Sequence, residues 1–396
     1  MKGLVSPLSF IISFSIVLLF IIFMDSIEIP TIRKRPPRIG ATSFLLNLPS
    51  FEYLINNQAC MDNLQSNVQA VMIITSHAGN VATRQAHRLA LPKELLFSIG
   101  VRRVFLLAVS SGKESSQTYK AIKQQEIFNE DVINGDLIQG NFKEAYRNLT
   151  YKHMMGLEWV SKFCQMANYV IKMDDDIILD IFQLLKTLPN VLDNRNNFLL
   201  GYMLKGMKPI RNPTNKWFVS EKEYPKAYYP PFLSGWMYVT TPEVVSKIVW
   251  NSQQNKHISS QKNSYRSFFW IDDVFVTGIL SRQAGVELID FSKYFAIHPQ
   301  YLQCCIETAV ISRSHKTSMP ELNSCEFIVG PSGGDMELLQ KFIKEAKWCW
   351  RSDKLCGKST YFSQMAKTCV VGRGEAYDWV RRPFSRGEAI LKRIKL

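Results

Sequence analysis

A triplet of aspartates, Asp174, Asp175 and Asp176, comes shortly after the apolar run at residues 169–171. Three adjacent acids repel one another, and a divalent cation would relieve that repulsion. Carboxylate oxygens are hard ligands that suit Mn²⁺ or Mg²⁺, and a nucleotide diphosphate can complete the coordination shell. The alternative is that the triplet caps a helix beginning near Ile181, because aspartate is favoured at helix starts.

A second group of acids, the pair Asp272 and Asp273, follows the apolar segment at 269–271. Apolar neighbours raise the pKa of a carboxylate, which suits a general base that works near neutral pH. The alternative is again structural, because two acids at this position could cap the helix that is predicted to follow.

The elements that must position these acids form an alternating series. Apolar runs predict strands, and longer periodic segments predict helices. Strands are predicted at 71–75, 104–109, 137–139, 169–173, 198–203 and 236–240, and helices at 81–98, 143–166, 181–188, 242–250 and from about 272. This alternation indicates an α/β fold with a mostly parallel sheet, covered by helices on both faces. Ligands of such sheets bind at the carboxyl ends of the strands, where we expect the chemistry.

The N-terminal segment 4–23 is apolar apart from serines and Pro7. At about 1.5 Å per residue it can cross a hydrocarbon core of roughly 30 Å, which predicts an uncleaved membrane anchor. A cleaved signal peptide is the alternative, but its apolar region would be shorter and would end in small residues. Lys2 before the segment and the basic residues 33–35 after it oppose a simple positive-inside count.

All eight cysteines follow the apolar segment, and none forms a Cys-x-x-Cys pair. This usage predicts disulfides in an oxidising lumen rather than a zinc site. The sequon Asn148-Leu149-Thr150 fits the same compartment as a glycosylation site, although Asn148 could instead support a helix turn. Net charge is +14, yet the basic residues are scattered and lack interleaved aromatics, so no nucleic-acid partner is expected.

The predicted organisation has five parts. Residues 1–3 form a cytoplasmic tail, 4–23 the anchor, 24–66 a Pro-containing stem, 67–300 the catalytic domain, and 301–396 a cysteine-bearing extension packed on that domain. Six cysteines fall in the extension, and their fifteen possible pairings stay open: Cys304, Cys305, Cys325, Cys349, Cys356 and Cys369.

An ordered series of motifs over about residues 70–290 resembles the beta-1,3-galactosyltransferase and N-acetylglucosaminyltransferase family, glycosyltransferase family 31. The central motif is Lys172-x-Asp174-Asp175-Asp176, preceded by Trp159 and Cys164. The others are Asn80, Arg84 and Arg88; Gly135-Asp136-Leu137-Ile138; Phe142, Tyr146 and Asn148-Leu149-Thr150; Pro209-x-Arg211; Lys216 to Ser220; Tyr224-Pro225 and Tyr229-Pro230; Ser234-Gly235 with Tyr238; and Asp272-Asp273-Val274.

The resemblance implies a GT-A fold and an inverting hexosyltransferase. Such an enzyme moves galactose or N-acetylhexosamine from a UDP-sugar onto a glycan acceptor in beta-1,3 linkage, with Mn²⁺ or Mg²⁺ as cofactor. It also implies a single-pass type II protein of the Golgi membrane with a lumenal catalytic domain, acting in protein or lipid glycosylation.

Roles for individual residues follow from the same resemblance. Asp273 is implied as the catalytic base, Asp176 as the main metal ligand together with Asp174, and Asn148 as the glycosylated residue. The implied donor-binding residues are Arg84, Arg88, Asp136, Lys172, Asp174 and Asp175, and the acceptor-side residues are Asp272, Trp217, Trp236 and Gly235. Ordinary salt bridges would also explain the arginines, which lie four apart on one helix face, and core packing would also explain the tryptophans.

The chain departs from the family pattern at several positions. The element near the first helix reads Arg88-Leu89-Ala90-Leu91, and Leu233, Trp236 and Met237 flank Ser234-Gly235 in place of a cysteine and small residues. A late histidine ligand is missing from the stretch 327–330, with His298 and His315 as the nearest alternatives. Two other functions stay open: an inactive lumenal chaperone or lectin-like paralogue, and a metal-dependent hydrolase of nucleotide sugars.

Overall fold

The computed structural model describes residues 43–57, 59–60, 68–110, 122–254, 265–314, 322–323, 325, 327–351 and 356–357. The predicted anchor at 4–23 lies outside these ranges. Within them, no helix is both long enough and apolar enough to span a bilayer.

The described chain alternates strands and helices. The strands are β1 (Ser43–Leu45), β2 (Leu48–Phe51), β3 (Tyr53–Ile55), β4 (Ala70–Thr75), β5 (Val101–Val109), β6 (Leu137–Lys143), β7 (Tyr169–Asp174), β8 (Ile177–Leu179), β9 (Phe198–Leu204), β10 (Phe232–Thr240), β11 (Glu287–Asp290), β12 (Leu322–Asn323), β13 (Val329–Pro331) and β14 (Cys356–Gly357). The α-helices are α1 (Val81–Ala90), α2 (Lys93–Ser98), α3 (Gln124–Asn134), α4 (Leu149–Phe163), α5 (Ile181–Leu192), α6 (Pro242–Gln254), α7 (Ser281–Gln283), α8 (Pro299–Ser314) and α9 (Met336–Arg351).

Eight strands form the central sheet in the order β11-β9-β10-β7-β4-β5-β6-β3. Strands β7, β4, β5 and β6 run parallel to one another, as do β9 and β11. Strand β10 is antiparallel to both neighbours, and β3 is antiparallel to β6. The mostly parallel α/β sheet expected from the sequence is therefore confirmed.

Both faces of the sheet are buried, which explains why its strands are continuous apolar runs. In β4 the side chains alternate between two cores: Met72 and Ile74 lie in one, and Val71 and Ile73 in the other. Helices α1, α2, α5 and α9 contribute to the first core, whereas α4, α6 and the helix after Asp273 contribute to the second.

Two predicted helices have different bounds in the structure. The segment 81–98 forms two helices, because Leu91 is extended before Pro92, which becomes the N-cap of α2. The segment 143–166 begins as strand and continues through a 3₁₀ turn at Tyr146–Asn148 before α4 starts.

The folded unit extends beyond the predicted catalytic boundaries at both ends. Strand β3, in the predicted stem, pairs with β6, and Phe51 is buried. In the predicted extension, β13 pairs with β8, while Phe342 of α9 lies in the sheet core. The predicted stem thus contains strands that the sequence did not indicate, because strands of three or four residues give little periodic signal.

The expected disulfides are present. Cys60 pairs with Cys164, and Cys305 pairs with Cys325, each with a Cα separation of 5.3 Å. Cys304 and Cys349 are also disulfide-bonded. The first of these bonds ties the segment before β4 to the C-terminal end of α4.

A π-helix at Val274–Leu280 follows the second acid pair and continues into α7. Asp273 is its N-cap and accepts a hydrogen bond from the Val274 backbone N–H at 2.7 Å. π-Helices are rare and are found mostly at functional sites, which draws attention to this segment.

Candidate active site

The two acid groups meet around Gly235, in β10. Lys172 is buried, and its Nζ donates to Asp174 Oδ1 and to the Gly235 carbonyl, both at 2.7 Å. A Cβ placed on Gly235 would lie 3.6 Å from Asp273 Cβ and 3.9 Å from Asp174 Oδ2. The fold thus brings Lys172, Asp174, Gly235 and Asp273 together where the carboxyl end of β7 meets the first half of the antiparallel strand β10 and the start of the π-helix.

Strand β10 supplies backbone groups to this site because its pairing with β9 is interrupted. The register shifts between Leu233 and Tyr238. Within this irregular stretch, the Gly235 carbonyl accepts from Lys172, and its N–H donates to the Asp273 side chain. A regular strand would have used such groups in the sheet.

Asp273 has the electrostatic environment of a general base. Burial, followed by the negative charge of Asp272, raises its pKa to about 7, although hydrogen bonds from the Val274 and Gly235 amides oppose the shift. A carboxylate with this pKa is largely ionised just above neutral pH and can still take up a proton efficiently.

Asp272 is held by a buried chain of side chains that the sequence did not reveal. His153 Nδ1 lies 3.0 Å from Asp272 Oδ2, and His153 Nε2 lies 2.7 Å from the Tyr238 hydroxyl. Because an ionised carboxylate can only accept, Nδ1 carries the proton and Nε2 accepts from Tyr238. The burial of His153 lowers its pKa, so the ring is neutral.

The hydrogen bonds through His153 keep Asp272 ionised beside Asp273. Burial alone would raise the pKa of Asp272, but the hydrogen bond from His153 and the positive charge of Lys172 lower it. The two adjacent carboxyl groups therefore differ in pKa: Asp272 is a stable anion, whereas Asp273 can exchange a proton.

Asp175 shapes the loop after β7. Its Oδ2 accepts from Ser76 Oγ at 2.7 Å and from Asn80 Nδ2 at 3.0 Å, and His87 Nε2 donates to its carbonyl oxygen at 2.8 Å. Asp176 is exposed, and its carbonyl accepts from the Ser332 N–H. The cap of α5 is Asp180, whose Oδ1 accepts from Gln183 N, so the triplet does not fill that capping role.

The residues at the end of β7 fit a divalent cation that arrives with a diphosphate. Burial raises the pKa of Asp174 to about 7, and a cation would favour its ionised form. No group of three or more His, Cys, Asp and Glu that could hold a metal occurs in the described ranges. Two carboxylates, Asp174 and Asp176, suffice for Mg²⁺ when phosphates and water supply the other ligands.

The stretch 327–330, which lacks the late histidine, ends in a closely packed glycine. A Cβ on Gly330 would lie 2.9 Å from Ala296 Cβ and from Leu302 Cδ1, so no side chain fits at that position without a shift of its neighbours. His298 precedes α8 and contributes to no metal-binding group among the described residues, and His315 lies outside them.

Arg84 and Arg88 lie on one face of α1, as their spacing predicted, but they face buried acids. Arg84 binds both oxygens of Glu130 and donates to Ser76 Oγ and to the carbonyls of His77 and Ala78. All five of its N–H donors are used in these contacts. The structure thus gives Arg84 a scaffold role, with no donor left for the predicted diphosphate contact.

Arg88 continues the same buried network. It contacts Glu130 at 2.8 Å and binds both oxygens of Asp136 at 2.7 and 2.9 Å, while Arg103 approaches Asp136 at 3.8 Å. Asp136, predicted as a donor contact, is therefore occupied by Arg88. The network reaches the aspartate triplet indirectly, through Ser76, which links Arg84 to Asp175, and through His87, which accepts from Arg103 and contacts the Asp175 carbonyl.

A second buried ion pair supports the loop after β4, and sequence reasoning missed it. Lys152 Nζ donates to Glu144 Oε1 at 2.6 Å and to the Ser76 carbonyl at 2.7 Å. Glu144 Oε2 accepts from the Ala78 N–H. The only sequence signal was the position of Lys152 next to the sequon motif.

Aromatic side chains flank the acids. The Trp217 ring hydrogen-bonds to the Tyr146 hydroxyl. Burial is the main cause of the raised pKa of Tyr146, and the negative charges of Asp272, Asp273 and Asp174 raise it further. Trp217 lies against the second core and Trp236 against the first, both half-buried. Both tryptophans thus combine core packing with a face that is accessible near the site.

The sequon residues carry structural contacts. Asn148 Nδ2 donates to the Lys143 carbonyl at 2.8 Å, and the buried Thr150 hydroxyl donates to the Phe269 carbonyl at 2.7 Å. Thr150 thereby ties α4 to the loop that leads to Asp272. Asn148 is the N-cap residue of α4, but its side chain makes no capping hydrogen bond to that helix, and its glycosylation stays a prediction.

Comparison with known proteins gives consistent matches. The Galactosyltransferase family model matches residues 83–292, more than half of the chain. Human "Beta-1,3-galactosyltransferase 5" is 35% identical over 214 residues, covering 54% of this chain and 62% of that protein. The chain thus spans less than two thirds of that relative's length.

Two further relatives align over longer stretches. Mouse "Beta-1,3-galactosyltransferase 1" is 32% identical over 246 residues, covering 61% of this chain and 68% of the relative. The Xenopus tropicalis "Lactosylceramide 1,3-N-acetyl-beta-D-glucosaminyltransferase" is 29% identical over 299 residues, covering 74% and 71% respectively. The matched region contains both acid groups, the buried arginines of α1 and the π-helix.

Proposed function

Because this chain belongs to the Galactosyltransferase family, we propose that it is an inverting glycosyltransferase that transfers galactose or an N-acetylhexosamine from a UDP-sugar to a glycan in beta-1,3 linkage. The observation that supports this most directly is the meeting of Asp174, Lys172 and Asp273 around Gly235. The relatives' names include both galactosyl and N-acetylglucosaminyl transfer, so the donor sugar stays open between these classes.

The proposed reaction is a direct displacement at the anomeric carbon. The acceptor hydroxyl oxygen forms a bond to that carbon while the bond to the diphosphate oxygen breaks, and UDP leaves. Asp273 takes the acceptor's proton, and Asp272, fixed by His153, accepts a hydrogen bond from the acceptor sugar. Deprotonated Asp273 is required before attack, which its pKa of about 7 permits at neutral pH.

The donor side uses the end of β7. Asp174 and Asp176 would hold Mn²⁺ or Mg²⁺, which supplies Lewis-acid stabilisation of the departing diphosphate when bound. Lys172 fixes the orientation of Asp174 and adds positive charge next to the leaving group. Asp175, held by Ser76 and Asn80, keeps the loop in shape and leaves its second oxygen for the nucleoside or a water.

The cellular setting belongs to the same proposal. The apolar segment 4–23 would anchor a type II protein in the Golgi membrane, and the disulfides fit the oxidising lumen. A protease-protection assay on sealed microsomes decides the topology. Digestion of the C-terminal part without detergent would contradict it.

Asp273→Asn tests the chemistry. The amide keeps the size of the side chain but cannot accept a proton, so we expect turnover to fall by about 10²- to 10⁴-fold. UDP affinity should change little. The measurement is UDP release with each UDP-sugar, with and without a panel of sugar acceptors.

Asp193→Asn is a matched control, because Asp193 is exposed and has a left-handed backbone that asparagine also adopts. Turnover within about threefold of wild type in folded Asp273→Asn would remove Asp273 as the base. UDP release that does not need an acceptor would favour the hydrolase, and donor binding without any release would favour the inactive paralogue.

A further inference from the structure

A cleft of about 520 Å³ opens where the π-helix and α7 face the loop before β10. This volume falls in the range of about 300 to 1,000 Å³ that is typical of small-ligand sites. Gly278 permits the close packing that forms its floor, since a Cβ there would lie 3.0 Å from Phe232 Cβ and 3.2 Å from Pro230 Cγ. None of the residues lining the cleft has a role in the proposed chemistry.

Four tyrosines line this cleft: Tyr224, Tyr228, Tyr229 and Tyr265. Tyr224 packs edge-on against Tyr229 and Tyr265, with ring centroids 5.0 Å apart in both pairs. These three rings are buried, whereas Tyr228 is exposed, so Tyr228 offers the flat apolar face and polar edge that suit a sugar ring.

Three cationic side chains surround the tyrosines: Lys226, Arg266 and Arg282, all exposed. Lys226 Nζ lies 5.9 Å from the centre of the Tyr265 ring. The part of the chain that the structure describes contributes no aspartate or glutamate to the lining. A bound anion would therefore meet three positive charges and no opposing acid from these walls.

One wall is fixed in place by Arg211. Its guanidinium donates to the carbonyls of Val219, Tyr224 and Lys226 at 2.8, 2.7 and 3.2 Å. The loop that carries three of the tyrosines and one of the cations is thus held before any ligand binds, which lowers the ordering cost of binding.

The hydroxyl of Tyr229 is a second, independent indication of a ligand. Tyr229 is 9% exposed, and its hydroxyl is buried with no hydrogen-bond partner among the residues that the structure describes. A buried polar group without a partner is costly, at about 1–3 kcal/mol. A ligand hydroxyl or a ligand-borne water in the cleft would supply the missing partner.

The cleft and the proposed catalytic base share one helix. Asp273 caps the π-helix, and Gly278, on the cleft floor, lies five residues further along the same helix. The α-helical rise of about 1.5 Å per residue gives roughly 7 Å as an upper limit for this axial separation, because the wider π-helix rises less per residue, and this is about the length of one sugar unit. The negative charge of Asp273 also reaches the Tyr229 phenol and contributes to its raised pKa.

We propose that this cleft binds the next sugar of the acceptor glycan and selects one that carries an anionic group, such as a sulfate ester or a carboxylate. The inference rests on the proposed transferase function and specifies its substrate. The sugar ring would lie on Tyr228, and its charge would be contacted by Arg282 and Lys226.

The test uses the full-length protein in detergent with each UDP-sugar donor. The acceptors are two disaccharides, one ending in galactose and one in N-acetylglucosamine, each with and without a 6-O-sulfate on the reducing-side sugar. We expect kcat/KM to be about three- to tenfold higher for the sulfated member of the accepted pair, and this advantage to shrink in 0.5 M salt.

Arg282→Ala and Lys226→Ala should each reduce the sulfate advantage and leave kcat/KM for the unsulfated disaccharide within about twofold. Lys222→Ala is the matched control, because Lys222 is exposed in the same loop but does not line the cleft. Equal kcat/KM within the pair, or an advantage that persists in the double variant Lys226→Ala/Arg282→Ala, would overturn the inference.

Calorimetric titration of the protein with the sulfated disaccharides separates the transferase hypothesis from the anionic-cleft hypothesis. Binding that depends on Arg282 without transfer to any acceptor would count against the transferase function and support the anionic cleft. Transfer to both members of a pair, without any preference for sulfate in binding or turnover, would support the transferase and refute the cleft.

Discussion

Arg84 offers a direct test of whether α1 binds the donor or builds the scaffold. The side chain is fully buried, with Nε and an amino nitrogen 2.7 and 2.6 Å from the two oxygens of Glu130. Its other donors reach Ser76 Oγ and the carbonyls of His77 and Ala78. Arg84→Met removes all five contacts while keeping an unbranched apolar chain.

The expected cost follows from these contacts. Removing one partner of a buried ion pair costs about 3–5 kcal/mol, and Arg88 still faces Glu130, which places this contribution near the lower value. The His77 carbonyl keeps the hydrogen bond from the Asn80 N–H, whereas the Ala78 carbonyl loses the donor that Arg84 supplies, which adds about 1 kcal/mol. A total of roughly 3–5 kcal/mol is a large part of a typical stability of about 5–15 kcal/mol.

The assay is thermal unfolding of the purified protein, followed by tryptophan fluorescence, with UDP affinity measured on the same samples. Arg84→Lys keeps the charge and loses about two hydrogen bonds, so it should fold and lose roughly 1–3 kcal/mol, lowering Tm by several degrees. Arg195→Met is the control, because the exposed Arg195 makes only a 3.5 Å contact with Glu287 and should cost less than about 1 kcal/mol. An unchanged Tm in Arg84→Lys, together with at least a tenfold loss of UDP affinity, would refute the scaffold role.

Three further predictions concern individual side chains. Asp176→Ala should abolish Mn²⁺-dependent UDP binding in calorimetry, because one of two carboxylate ligands is lost; unchanged affinity would exclude Asp176 as a ligand. His153→Phe should lower kcat/KM by roughly 10- to 100-fold by releasing Asp272, and should also change the pH profile, whereas a merely structural His153 would lower stability and leave that profile as it is. Burial raises the pKa of Asp180 to about 6, so the folded state loses stability as pH rises from about 4 to 6. Asp180→Asn keeps a capping oxygen and should gain up to about 3 kcal/mol over wild type at pH 7.5 in urea unfolding, but nothing near pH 4; an equal difference at both pH values would contradict this origin.

Much of the sheet could be predicted because its central strands are buried on both faces. Strand β4 was predicted to within one residue and β7 likewise, since a continuous apolar run bounded by polar residues is typical of a strand with helices on both sides. The position of the acids at strand ends also followed from the pattern. The short strands before residue 56 could not be predicted, because three or four residues show too little alternation of apolar and polar side chains.

The support of the site could not be predicted, because its partners are far apart in sequence. His153, Tyr238 and Asp272 come from α4, β10 and the start of the π-helix, and only the fold places them in one chain of hydrogen bonds. The same holds for Arg84 and Glu130, which are 46 residues apart. The spacing of the arginines correctly gave a shared face, but it held no information about what that face contacts.

The π-helix sets the rotational phase of the Asp273 carboxylate, the proposed base. An α-helix turns by about 100° per residue, whereas the wider turn at Val274–Leu280 accommodates one extra residue without turning the helix further. If the same seven residues closed into a regular α-helix, the segment would turn by about 100° more. Asp273 would then be rotated by that angle relative to α7 and away from the Gly235 amide. The wide turn of this segment therefore constrains the direction of the carboxylate as strictly as the identity of the residue at its start.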